Sequence, residues 1–109
     1  MPLYLYQGTY TSEAWSTLVK NPQNRFEAVR PVFEKLGGKI RDAYFCFGEY
    51  DLVVIFEMPD NVTAASLAMA VAAGGAVKNS KTTVLMSLDD GLAAMKKASA
   101  SGYHAPKKK

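Results

Sequence analysis

The residues that most often carry metal, redox or nucleophilic chemistry are scarce here. Cys46 is the only cysteine and His104 the only histidine, which excludes a disulfide within the chain, a multi-cysteine zinc site and a multi-histidine metal site. No Ser-His-Asp set and no phosphate-binding glycine loop is present, so neither a metal nor a cofactor is expected. No apolar run is long enough to span a bilayer; the longest stretch, Ala64 to Val77, is interrupted by Gly74-Gly75, and no membrane association is expected. The amino-terminal Met-Pro-Leu-Tyr-Leu-Tyr-Gln lacks the basic flank of a signal peptide and reads as a strand. A cytoplasmic location is the resulting expectation.

Clustered positive charge is also missing. Thirteen Lys and Arg face ten Asp and Glu, and Lys107, Lys108 and Lys109 make up the whole difference. The excess therefore belongs to a solvated tail. Lys78 and Lys81 share a segment but are not interleaved with aromatics as a nucleic-acid surface requires, so no nucleic-acid partner is expected. His104 falls in the same tail. The expected organisation is one domain over residues 1–98 and a flexible basic tail over 99–109, since 109 residues can build a core without disulfide or metal staples.

Apolar residues, at 49% of the chain, are what the sequence does supply. "LYLYQGTY" (3–10) predicts a strand, followed by a helix capped by Thr11 or Ser12, with Ala14, Trp15, Leu18 and Val19 on one face. Asn21-Pro22 interrupts it. The pattern resumes through Phe26, Val29, Val32, Phe33 and Leu36, where Pro31 should introduce a kink, and Gly37-Gly38 ends it. "KIRDAYFCF" (39–47) and "DLVVIFEM" (51–58) read as paired strands around a short turn. Asp60 should cap an alanine-rich helix that stops at Gly74-Gly75. A strand within 76–86 and a short helix opened by Ser87 complete the order.

Strand, helix, strand, strand, helix, strand is the split β-α-β plan: an α+β, ferredoxin-like fold with a four-stranded antiparallel sheet and a short C-terminal helix. Both helices should cover one face of that sheet. Yet both faces are oily. Leu52, Val54 and Phe56 oppose Val53 and Ile55; Leu3 and Leu5 oppose Tyr4, Tyr6 and Tyr10; Ile40, Tyr44 and Cys46 oppose Ala43, Phe45 and Phe47. A monomer rarely exposes that much contiguous apolar surface. Covering on the order of 500 Å² would contribute about 12 kcal/mol before association costs. A second copy of the chain is the expected cover, giving a homodimer or higher oligomer through the open sheet face.

Three segments, "LGGKI" (36–40), "YFCFGEYD" (44–51) and "GGAV" (74–77), together resemble the GYD-domain proteins, named for a Gly-Tyr-Asp element that here spans Gly48-Glu49-Tyr50-Asp51. The resemblance covers most of residues 3–88. It implies membership of the dimeric α+β barrel superfamily, in which two ferredoxin-like sheets meet face to face. That superfamily includes cofactor-independent monooxygenases, lactone isomerases, haem-handling enzymes and small-ligand sensors, so it does not imply one chemistry.

The Gly48–Asp51 turn has two readings. In the structural one, Gly48 takes positive φ, Asp51 bonds local amides and Tyr50 packs its ring on a neighbour. In the functional one, Glu49 or Asp51 is a proton-moving carboxylate and Tyr50 holds a ligand, making Glu49, Tyr50 and Asp51 the catalytic candidates. Tyr4, Tyr6, Tyr10 and Tyr44 are an aromatic supply for core packing or for lining a cavity, and Tyr4, Tyr6, Tyr44 and Tyr50 are the ligand-binding candidates. Asp42 reads as the wet end of its strand, Cys46 as an inert thiol and Trp15 as core or interface material. The leading expectation is a homo-oligomeric barrel that binds or senses a small organic molecule. The alternatives are a cofactor-free monooxygenase or isomerase acting on an aromatic or lactone-like substrate, and a filled-barrel interaction module without a ligand.

Overall fold

Alternation decides the first strand. In the computed structural model, which describes residues 1–107, Leu3–Tyr10 forms β1 and buries Tyr4, Tyr6, Gly8 and Tyr10 while leaving Leu3, Leu5, Gln7 and Thr9 half-buried on the other side. The chain continues as α1 (Ser12–Lys20), α2 (Arg25–Lys35), β2 (Lys39–Phe45), β3 (Leu52–Glu57), α3 (Asn61–Ala73), β4 (Val77–Leu85) and α4 (Leu88–Ser99). The four strands form one antiparallel sheet in the order β2-β3-β1-β4. This is the ferredoxin-like arrangement the pattern predicts. Lys108 and Lys109, part of the expected basic tail, lie outside the described residues.

Caps place the helices. Thr11 Oγ1 accepts from Ala14 N at 3.1 Å, and Asn24 Oδ1 accepts from Phe26 N at 3.0 Å and Glu27 N at 3.2 Å. Two separate nucleation points thus divide the first crossover at Asn21-Pro22. α2 runs on through Pro31, although the ring removes the backbone bond that residue 31 would otherwise give to Glu27. It ends where Gly37 adopts φ 82°. Gly38 then passes so close to Glu57 O and Met58 Sδ that any Cβ would collide with them. That close approach is the physical content of the "LGGKI" segment.

The core lies between the sheet and α2 and α3. Phe33 from α2, with Ala64 and Leu67 from α3, meets Tyr4, Tyr6, Tyr10, Leu52, Val54 and Phe56. Tyr4 stacks on Phe56 with centroids 5.3 Å apart, and Phe33 stands edge-on to the same ring at 5.3 Å.

One strand departs from simple alternation. An uninterrupted β2 would put Ile40 on the side of Asp42, Tyr44 and Cys46. Instead the register shifts so that Ile40 pairs with Phe56 while Asp42 pairs with Ile55. Arg41 is the extra residue of a bulge, which sends Ile40 into the core and turns Asp42 and Tyr44 to the opposite face. Arg41 Nη1 in turn meets Glu57 Oε2 at 2.7 Å.

That opposite face presents Leu3, Leu5, Val53, Ile55 and Leu85, all half-buried, among Gln7, Thr9, Thr83 and Glu57. No residue of α4 joins the core, and all of its residues but Gly91 are exposed. The Cα radius of gyration is accordingly 18.0 Å, against about 13 Å for a compact chain of roughly this length. Among the described residues no helix is long and apolar enough to cross a membrane.

Candidate functional site

The β2–β3 turn is built around Asp51. Its amide donates to Gly8 O at 2.8 Å and its carbonyl accepts from Cys46 N at 2.8 Å. Its Oδ2 accepts from Tyr10 N at 2.9 Å and from Trp15 Nε1 at 3.1 Å. The Tyr10 amide sits where the β1–β4 register shifts between Thr9 and Tyr10. One carboxylate oxygen therefore joins the end of β1, the start of β3 and helix α1, and Trp15 stands edge-on to Tyr10 at 5.2 Å.

Neighbouring groups act through their backbones. Thr9 Oγ1 donates to Glu49 O at 2.9 Å, and the Cys46 thiol donates to Tyr50 O at 3.1 Å. Gly48 has φ 126° with open space around the missing Cβ, so backbone conformation selects glycine there. The Glu49 side chain is exposed and Tyr50 is half-buried. The turn is thus a tie-bar whose polar atoms are largely spent on holding the fold.

Beside it lies a chamber of about 290 Å³ between the sheet and the helices. Tyr6, Tyr10, Leu52 and Val54 form a buried floor. Phe26 and Phe33 of α2 and Leu67 and Val71 of α3 form the walls, and exposed Arg25, Ala70, Gly74 and Ala76 mark the rim. Gly8 lets the Tyr6 side chain lie against β1: a Cβ there would press within 3.1 Å of both the Tyr6 ring and Val77 Cγ1.

The Tyr6 hydroxyl is buried and has no hydrogen-bond partner among the described residues. Burial raises its pKa; the Ser80 side chain eases that shift without completing a hydrogen bond. Burial also raises the pKa of Tyr10, against the pull of the Arg25 charge. A chamber with apolar walls, phenols in its floor and a cation on its rim can hold a small, mainly apolar molecule and orient it by a few polar contacts.

The tyrosine candidates therefore separate. Tyr6 lines the chamber together with Tyr10. Tyr4 is buried beneath the helices, where its hydroxyl donates to Asn61 Oδ1 at 2.7 Å. Tyr44 stands exposed on the opposite face and donates to Asp42 Oδ1 at 3.2 Å. Glu49, Tyr50 and Asp51 stay together at the adjoining turn and do not line the chamber. Sequence reasoning missed Arg25. Its one signal was a cation at the first position of a helix, where the helix dipole disfavours positive charge.

Comparison with known proteins places this architecture. The GYD domain model matches residues 4–95. A Thermus thermophilus relative named "Glutamine synthetase and cystathionine beta-lyase binding protein" is 32% identical over 78 residues, covering 72% of this chain and 82% of the relative. Among solved structures, TTHA0845 from Thermus thermophilus superposes with a TM-score of 0.52 at 15% identity, covering 80% of this chain and 95% of that one. The hypothetical protein PHS023 from Pyrococcus horikoshii superposes with a TM-score of 0.51 at 14% identity, covering 80% and 92% of the two chains. These two likenesses concern the fold. With its Asp51-centred turn inside the matched span, the chain belongs to the GYD domain family.

Proposed function

We propose that this chain is a small-molecule-binding protein that works as a homo-oligomer, with one ligand chamber in each protomer. The observation that carries this reading is the apolar chamber of about 290 Å³, floored by the Tyr6 and Tyr10 rings and with Arg25 on its rim. A mainly apolar cavity with a few polar groups at its edge is the form that small-molecule sites take. The half-buried aliphatic surface of Leu3, Leu5, Val53 and Ile55 supports sheet-to-sheet pairing of two copies. Binding is preferred to catalysis because Asp51, the carboxylate bound to the Tyr10 amide, already accepts from Tyr10 N and Trp15 Nε1.

Thermal denaturation against a library of small aromatic and branched aliphatic compounds tests the chamber. A ligand at about 100 times its Kd adds roughly 2.7 kcal/mol to stability and raises Tm by several degrees. Binders should lose their effect in a Val71→Trp variant, which fills the chamber from α3. A library that leaves Tm unmoved, or a shift that survives Val71→Trp, sinks the chamber reading. Native mass spectrometry of the same preparation should show an even number of copies, and Ile55→Arg should yield monomers.

A second reading is that the chain docks on enzymes. It is favoured by the name of the Thermus relative, a protein described as binding glutamine synthetase and cystathionine beta-lyase. The two readings join if ligand occupancy controls docking.

A further inference from the structure

Among the described residues the chamber is lined by one charged residue. Arg25 opens α2 on the exposed rim, and no acidic side chain contributes to the lining. Among the described residues the ion pairs are Glu27–Arg30 at 3.0 Å and Arg41–Glu57 at 2.7 Å; Arg25 takes part in neither. Helix stability does not account for a cation at this position, because the amino-terminal end of a helix already carries partial positive charge. Both the guanidinium and the helix end instead favour an anion at the rim. At the floor lie the Tyr6 and Tyr10 rings. Between them the walls offer only hydrocarbon and aromatic surface: Phe26, Phe33, Leu67 and Val71.

Resting on the reading of this chamber as a ligand site, we propose that it selects small monocarboxylic acids with an aromatic or branched aliphatic body. The carboxylate pairs with Arg25, whose planar fork matches it. The body fills the space against α2 and α3 and rests on the Tyr6 and Tyr10 rings. A volume of about 290 Å³ sits at the small end of ligand pockets. It suits a single ring or a short branched chain and leaves no room for a nucleotide.

The test is calorimetric titration of the full chain with phenylacetate, 4-hydroxyphenylacetate, phenylacetamide, phenethylamine, acetate and inorganic phosphate. The two aromatic acids should bind, and the amide should bind about tenfold more weakly or worse. The amine should be weaker still, because it brings a second cation to the rim. Acetate and phosphate should bind more weakly than phenylacetate, since neither has a body to fill the walls. Arg25→Gln, a substitution at an exposed position, should equalise acid and amide, and Val71→Trp should abolish binding of both. Equal affinity for acid and amide in the unmodified protein overturns the acid preference, as does acid binding unchanged by Arg25→Gln. Acetate or phosphate binding as tightly as phenylacetate would make the site a general anion site and overturn the proposal too. If indole, added as a neutral probe, binds where neither acid nor amide does, the chamber reading stands and this proposal falls. If no compound binds, both fall.

Discussion

The two faces of the sheet are alike in oiliness and unlike in fate. On β3, Phe56 points to the helices and is 1% exposed, while its neighbour Ile55 points away and stays half-buried. The covered face is built largely from aromatic rings, among them Tyr4, whose hydroxyl donates to Asn61 on α3. The open face is aliphatic at its centre, with Leu3, Leu5, Val53 and Ile55, and charged at its margin, with Asp42, Arg41, Glu57 and Lys81. An apolar centre with a polar margin is how association surfaces are made. Hydrophobicity alone therefore did not say which side the helices would choose. On the covered side the buried Tyr4 phenol finds its internal partner in Asn61.

Truncating the two neighbours separates the faces most sharply. Phe56→Ala should cost about 3–5 kcal/mol, read by chemical denaturation, because the ring leaves a cavity among Tyr4 and Phe33. The loss should not vary with protein concentration. Ile55→Ala should cost less in dilute solution, and its cost should grow with concentration as oligomers form. Equal, concentration-independent losses at both positions would mean that the open face needs no partner.

Asp51 sits where both faces end. Asp51→Ala should lose about 2 kcal/mol, since it leaves the Tyr10 amide and the Trp15 indole without their charged acceptor. Asp51→Asn keeps one carbonyl oxygen and should recover part of that loss. Trp15→Phe, which removes a single donor, should cost less than Asp51→Ala. If Asp51→Ala unfolds at the same denaturant midpoint as the wild type, the tie-bar account of the turn is wrong.

Alkaline pH probes the same contrast through ionisation. Tyr4, Tyr6 and Tyr10 all have pKa values above the ordinary 10.0, burial being the largest cause at each. Folded and unfolded chains hold these protons equally well below that pH, so stability is insensitive there. As pH rises through 10 the unfolded chain gives up its protons first, and stability should fall until the folded-state pKa values are reached. Tyr44 is also raised, by its hydrogen bond to Asp42, but it is exposed and should ionise without unfolding the chain. Phenolate absorbance followed alongside circular dichroism would separate the two classes. Complete ionisation of all tyrosines before any loss of structure would contradict the burial assigned to the covered face.

Much of the fold was legible because its punctuation is local. Thr11, Asn24, Asp60 and Ser87 cap helices through their own side chains, and Gly37 and Gly48 take positive φ where the sequence places turns. The alternation of Leu and Tyr in β1 sorted its faces correctly. Residues 39–47 misled because a bulge reverses alternation without any signature residue; Arg41 looks like an ordinary strand position until its pairing is known. The site was less legible still. Tyr6 and Tyr44 look equivalent as isolated strand tyrosines, and what separates them is the bulge in β2 and the chamber above β1. Arg25 gains its place only when α2 is laid across the sheet, a tertiary fact that no local window carries.

The smallest expected effect lies inside the covered face, between two tyrosines of one strand. Tyr4→Phe removes a 2.7 Å hydrogen bond to Asn61 and should cost about 1 kcal/mol. Tyr6→Phe removes a buried hydroxyl that has no partner, so its stability should stay within about 1 kcal/mol of wild type and lean toward a gain. Ligand affinity should stay unchanged in Tyr6→Phe, because the ring lines the chamber while the hydroxyl is sealed off from it. A Tyr6→Phe protein that loses stability as Tyr4→Phe does would show that the hydroxyl already has an internal partner, the Ser80 side chain beside it being the first to test.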